Sequence, residues 1–195
     1  MRTVLSVVIF ILALVVGLGA DGWPVKDYRG ALHAIIAGDN FCTAVKVGDN
    51  GILLSVAHCV EGDKPIVHVD TGRDVVLLER NETMDIVVLQ MAIGGKPLKV
   101  AKKEPEMGDE TLSLGFGNTD LTPLPGYWIG KVGGKEDPMT VLTVSAIHGM
   151  SGGPVVNRKG EIVGLVRGVV DTDSVNVTLL VTLKTVQEAV KRWVK

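Results

Sequence analysis

The stretch His148-Gly149-Met150-Ser151-Gly152-Gly153-Pro154 sets one serine among three glycines, residues that permit unusual backbone angles and let a substrate approach the main chain. Loops of this kind make oxyanion holes. A serine hydroxyl is a weak nucleophile until a base takes its proton, so acyl chemistry here requires a histidine, usually oriented by a carboxylate. The string also satisfies Gly-x-Ser-x-Gly, the nucleophile elbow of α/β-hydrolases, which needs its histidine after the serine. All four histidines, His33, His58, His68 and His148, precede Ser151, and that arrangement is excluded. An order with the aspartate first, drawn from Asp21, Asp27, Asp39 or Asp49, is formally open, but the chain is short for the fold that uses it and lacks alternating helices.

The order His, Asp, Ser remains. His58 follows an apolar run and sits beside Cys59, and Asp85 immediately precedes the apolar run 86–89. A carboxylate at the mouth of a buried strand needs a partner, because an unpaired buried charge is costly; His58 is the expected one. Asp63, Asp70 and Asp74 are rival carboxylates in polar or turn-like contexts. His33 and His68 fall in strand-like runs and read as structural or surface residues. A zinc site from His58, His68 and His148 has no recognised ligand spacing, so no metal and no cofactor is expected.

The elements that must carry these residues read as short β-branched runs broken by Gly, Asn and Asp. Candidate strands are 31–36, 41–47, 52–56, 66–69, 75–79 and 86–89, then 111–114, 127–132, 139–144, 154–156, 162–166 and 178–183. Strands so spaced suit sandwiches or closed barrels. The intervening residues 92–110, with Gly94, Gly95, Pro97, Pro105, Gly108 and a Lys/Glu cluster, form a connector with at most one short strand. The halves expected are 21–105 and 106–195. Val186, Val190 and Val194 recur at helical spacing, which predicts a closing amphipathic helix.

Residues 3–20 carry no charge after Arg2, the pattern of a 1–20 export signal, with an uncleaved anchor as the alternative. A secreted, extracellular or periplasmic location follows, or a membrane-anchored one. In an oxidising compartment Cys42 and Cys59 can persist as a disulfide; two buried thiols are the other reading. The 195 residues are 46% hydrophobic and 22% charged, with a formal net charge of -2. No Lys/Arg block stands out, so nucleic acid is not an expected partner, nor is an anionic membrane surface.

Taken together, Phe41-Cys42, Ser55-Val56-Ala57-His58-Cys59-Val60, Met84-Asp85-Ile86-Val87-Val88-Leu89 and the Ser151 loop followed by Gly160-Glu161-Ile162-Val163-Gly164-Leu165-Val166 resemble the trypsin/chymotrypsin superfamily, closest to HtrA/Deg-type peptidases. The resemblance runs from about Ala31 to Val190. It implies an all-β, chymotrypsin-like fold: two Greek-key barrels of about six strands each and a C-terminal α-helix. It implies Ser151 as nucleophile, His58 as general base and then acid, Asp85 as orienting carboxylate, and the N–H groups of Gly149 and Ser151 as the oxyanion hole. It places the substrate cleft at Ser145, Ala146, His148, Arg167 and Gly168, with a Cys42–Cys59 disulfide beside it.

Two departures matter. Met150 stands where digestive trypsins keep the aspartate that receives a new N-terminus, so zymogen cleavage is not expected to control activity. Arg167 stands near the small polar residue that usually supports the triad aspartate; it can pair with Asp85, face solvent, or favour acidic substrates together with His148. No carboxylate is evident at the base of the pocket, which disfavours cleavage after Lys or Arg. The implied function is serine endopeptidase on protein or peptide substrates. The alternative is an inactive homologue that binds through the same cleft; such chains commonly lose a triad residue, and none is lost here. Hydrolysis of an ester is a third possibility.

Overall fold

A computed structural model describes residues 22–132, 139–171 and 176–194; the segment 1–20, expected to be an export signal or anchor, lies outside them. Two closed six-stranded barrels make up the fold. The first contains β1 (Leu32–Ala37), β2 (Asn40–Lys46), β3 (Ile52–Ser55), β4 (Ile66–His68), β5 (Asp74–Asn81) and β6 (Ile86–Gln90). The second contains β7 (Glu110–Gly117), β8 (Asp120–Val132), β9 (Met139–Leu142), β10 (Pro154–Val156), β11 (Ile162–Asp171) and β12 (Asn176–Thr182). Each barrel has the spatial order of a Greek key, with its first three strands followed by the sixth, fifth and fourth. Closure pairs the strands around each barrel and, among the described residues, leaves an open edge along the first part of β8. Ile35, Leu53, Leu54 and Leu89 are fully buried in the first core, and Leu142, Val155, Val163 and Met150 in the second.

β8 is longer than the expected 127–132 because it absorbs Pro123 and Pro125. Both pair with β7, opposite Leu114 and Leu112, while β9 pairs only from Trp128 onward. The two prolines therefore lie where the second side of the strand is unpaired, the one place a residue without an N–H is tolerated. The tight β7–β8 turn uses Asn118 and Thr119, both at positive φ.

Among the described residues, two α-helices flank the barrels. A four-residue helix, α1 (Val25–Tyr28), follows Trp23; Tyr28 packs against Gly160, and the Arg158 guanidinium lies 4.4 Å from the centre of the Trp23 ring. Nothing in the sequence pattern announces this arm, since four residues show no periodicity. The terminal helix α2 (Leu183–Trp193) is capped by Thr182, whose hydroxyl accepts from Thr185 N–H, and buries Leu183, Val186 and Ala189. Its end reaches the first barrel, where Trp193 Nε1 donates to Glu79 at 2.6 Å.

The first barrel also holds polar groups inside. His33 and His68 lie with ring centroids 5.3 Å apart, 6% and 2% exposed, each with an Nε2 that has no partner among the described residues. Burial first, then the nearby His68 and Lys46, push His33 down to about 4, and burial also lowers His68. Lys46 is buried too, its Nζ donating to the carbonyls of Ile93 and Gly95, each at 2.9 Å, and of Gly94 at 3.4 Å.

Candidate active site

His58 follows β3 on a single 3-10 turn spanning Ala57–Cys59. Asp85 ends the turn between β5 and β6 at a φ of 50°, a left-handed conformation that Asp tolerates better than most residues. Asn81 Oδ1 accepts from Met84 N–H at 2.9 Å and fixes that turn. Asp85 faces His58 twice: one carboxylate oxygen accepts the His58 backbone N–H at 3.0 Å, and His58 Nδ1 lies 2.9 and 3.1 Å from the two oxygens. Nδ1 must carry the hydrogen, because an ionised carboxylate can only accept. Nε2 then presents a lone pair, on an imidazole side chain that is 44% exposed. Asp85 is 6% exposed. Burial alone raises its carboxyl, but the two His58 hydrogen bonds and the His58 and Arg167 charges outweigh it and hold Asp85 below the usual carboxylate value.

The Ser151 loop belongs to the second barrel and is held against the first. Cys42 is bridged to Cys59, the residue after His58, with Cα atoms 6.2 Å apart. One residue along β2, Thr43 N–H donates to Ser151 O at 2.8 Å. This seats the serine loop and the histidine turn on one stretch of β2. Glycine is required for such closeness: a Cβ on Gly152, at a φ of 83°, would collide with Ser55 Oγ and the Thr43 carbonyl.

An inventory of the loop's N–H groups is informative. Met150 N–H donates to Ile147 O, Gly152 N–H to Val166 O and Gly153 N–H to Met150 O. From Gly149 to Gly153, only Gly149 and Ser151 keep N–H groups without an acceptor among the described residues. Their own peptide planes are fixed from the other side, since His148 O accepts from Asn118 N–H at 3.3 Å and Met150 O from Gly153 N–H at 2.9 Å. A trans peptide sends its N–H opposite its carbonyl, so two donors are free to meet one anionic oxygen. Met150 is fully buried in the second core. The Ser151 hydroxyl and His58 Nε2 are not hydrogen-bonded to each other, and such contacts commonly tighten only with substrate bound.

Arg167 is the residue of β11 skipped in its pairing with β12, where the register jumps between Val166 and Gly168. A bulge re-aims the side chain it carries, and Arg167 Nε reaches the Asp85 oxygen nearest His58 Nδ1 at 3.1 Å. Of the three directions open in the sequence, the structure takes the pairing with Asp85. Ala146 is buried, and its N–H donates to Thr178 Oγ1 at 2.8 Å. Ser145 is half-buried and His148 exposed, and beside Gly168 there is open space where a side chain would stand. No carboxylate lies among these residues. His33 and His68 lie apart from this site, as a pair inside the first barrel.

The profile of the trypsin-like peptidase domain family matches residues 42–165, more than half of the chain. The chain belongs to that family. Among solved structures, the Mycobacterium tuberculosis protease Rv3671c in its inactive form is similar with a TM-score of 0.74 at 16% identity, over 86% of this chain and 91% of its own. Its active form gives 0.74 at 18% identity, over 86% and 82%. A serine endoprotease from Yersinia pestis gives 0.71 at 18% identity, over 86% of this chain and 64% of its own. At these identities the likeness concerns the fold. No curated protein matches the chain.

Proposed function

We propose that the chain is a serine endopeptidase that forms an acyl-enzyme on Ser151. His58 Nε2 takes the hydroxyl proton as Ser151 Oγ attacks the scissile carbonyl, then returns it to the leaving amine; water repeats the cycle in reverse. Asp85 fixes the tautomer and stabilises the imidazolium. The developing oxyanion is received by the N–H groups of Gly149 and Ser151. The observation that carries this reading is that pair of donors without an acceptor among the described residues, set between bonded N–H groups in the Gly149–Gly153 segment, on the same segment of β2 as a histidine whose Nδ1 is held by a buried carboxylate.

Substrates on this reading are proteins or peptides. Ser145, Ala146, His148 and Gly168 border the primary pocket, and the absence of a carboxylate among them favours a small or medium apolar residue at the cleavage site. Arg167 is engaged by Asp85, which argues against its serving as a receptor for acidic side chains. Met150, apolar and buried, offers no carboxylate for a newly made amino terminus, so the activity needs no such activation step. The disulfide fits export to an oxidising compartment.

The test is labelling of the purified chain by a fluorophosphonate probe, alongside Ser151→Ala and His58→Ala. Labelling of the wild type that both substitutions abolish is the expected result, and peptide-library cleavage then defines the pocket. A folded, disulfide-bonded wild type that takes no label would replace this reading with the binding homologue.

A further inference from the structure

Thr43 is fully buried at the seam between the barrels; its N–H and hydroxyl bond across that seam, and its carbonyl is held within the first barrel. Its N–H donates to Ser151 O at 2.8 Å, and its carbonyl accepts from Ser55 Oγ at 2.8 Å, three residues before His58. Its hydroxyl donates to Gly149 O at 2.8 Å while accepting from Phe116 N–H on β7 at 2.9 Å. A hydroxyl has one hydrogen to give; with the Phe116 N–H filling its acceptor side, that hydrogen is directed to Gly149.

We propose that Thr43 is the positioning residue of the oxyanion site: through its hydroxyl and its N–H it locks the two peptides that flank the Met150–Ser151 peptide, and so aims the N–H groups of Gly149 and Ser151. This deepens the peptidase reading and rests on it. The lock is needed because Gly149, at a φ of 93°, belongs to the residue type with the widest choice of backbone angles. A turned peptide at Gly149 would displace one donor while leaving both barrels folded. Phe116 ties the lock to the second barrel and Ser55 ties it to the histidine turn, so donors and base are referenced to one side chain. The hydroxyl touches no substrate. It acts only through the backbone it holds.

Thr43→Val keeps the shape and the N–H and removes the hydroxyl; Thr43→Ser restores it. The experiment is the pre-steady-state burst with p-nitrophenyl acetate, which gives the concentration of acylating sites, the acylation rate constant and the half-saturating concentration. Each is measured on the purified chain together with its thermal unfolding. Loss of a whole oxyanion donor slows reactions about 100- to 1000-fold, so a donor still present but loosened should cost about 10- to 100-fold. The expected result for Thr43→Val is that loss in acylation rate, half-saturation within about threefold and an undiminished burst amplitude, with Thr43→Ser near wild type. Thr140→Val, which removes a buried hydroxyl that has no partner among the described residues, should acylate at the wild-type rate. Three outcomes overturn the proposal: Thr43→Val acylating normally, a reduced burst with a normal rate constant, or an equal slowing in Thr140→Val. A wild type without any burst would overturn the peptidase reading itself, and with it the role of Thr43.

Discussion

The histidine pair inside the first barrel makes an acid-sensitivity prediction that can be worked through. His33 titrates near 4 in the folded chain against an ordinary value of 6.5. Between these values the unfolded chain binds a proton at this position that the folded chain refuses. Stability is therefore complete above pH 6.5 and falls as pH drops toward 4, with a slope of up to about 1.4 kcal/mol per pH unit and a ceiling of about 3 kcal/mol. His33 is only 6% exposed, so solvent screens little of this, and His68 is shifted in the same direction. The perturbation is His33→Leu, which fills the site, removes the titrating group and removes a buried Nε2 that has no partner among the described residues. Urea unfolding followed by tryptophan fluorescence at pH 7.5, 6.0, 5.0 and 4.5 gives the free energies. The wild type should lose about 2.5 kcal/mol more than the variant between the ends of that series, since pH 4.5 stops short of the folded value. Parallel loss in both proteins would refute the assignment. Asp85 does not confuse the test, because its carboxyl lies below the usual value of 3.8 and titrates under this window. Function should follow stability, since His33 pairs with Ala44, the residue after Thr43.

Two further perturbations probe the site's supports. Arg167→Met removes one of the charges holding the Asp85 carboxyl down; a depressed acid stabilises the fold above its ordinary titration range and loses that contribution as pH falls through the folded value. The variant should be less stable than wild type at pH 7, by under about 1 kcal/mol because the guanidinium is nearly half exposed, and the gap between the two urea curves should close as pH falls through the folded Asp85 value, below 3.8. Reducing the Cys42–Cys59 bridge, which spans a separation of 17 residues, should lower stability by about 3 kcal/mol. A thermal melt with and without reductant reads this, and fluorophosphonate labelling should decline with it because the bridge anchors the histidine turn.

The strands were legible in the sequence because β-branched runs are punctuated by Gly, Asn and Asp; that they close into two barrels came from the family resemblance, since the spacing alone left a sandwich equally open. β8 was shortened in that reading by Pro123 and Pro125, which signal a loop unless the pairing on each side of the strand is known. The ordering of His58, Asp85 and Ser151 along the chain was legible. The direction of Arg167 was not, because it depends on a bulge, a mismatch in length between β11 and β12 that neither strand shows alone. Thr43 was invisible for a similar reason: its hydroxyl partner Gly149 lies 106 positions away, and a threonine in a strand announces nothing. The pairing of His33 with His68 likewise exists only through the register of β1 with β4, where Ile35 faces His68.

The carbonyls gathered around Lys46 bear on where this chain can accept foreign sequence. Residues 92–110 look permissive throughout, rich in Gly, Pro and charge, the composition at which domain insertions usually succeed. Yet Ile93, Gly94 and Gly95 are fastened to a buried ammonium, and Gly95 lies so close to the Gly30 backbone that a Cβ has no room. An insertion there would strand a cation inside the first barrel. The backbone from Lys102 to Pro105 has no such moorings among the described residues and is mostly exposed, whereas Gly108 N–H is already bonded to the buried Trp128 carbonyl, so a reporter domain or affinity tag spliced between the barrels belongs at 102–105, where it lengthens the connector without pulling on either core.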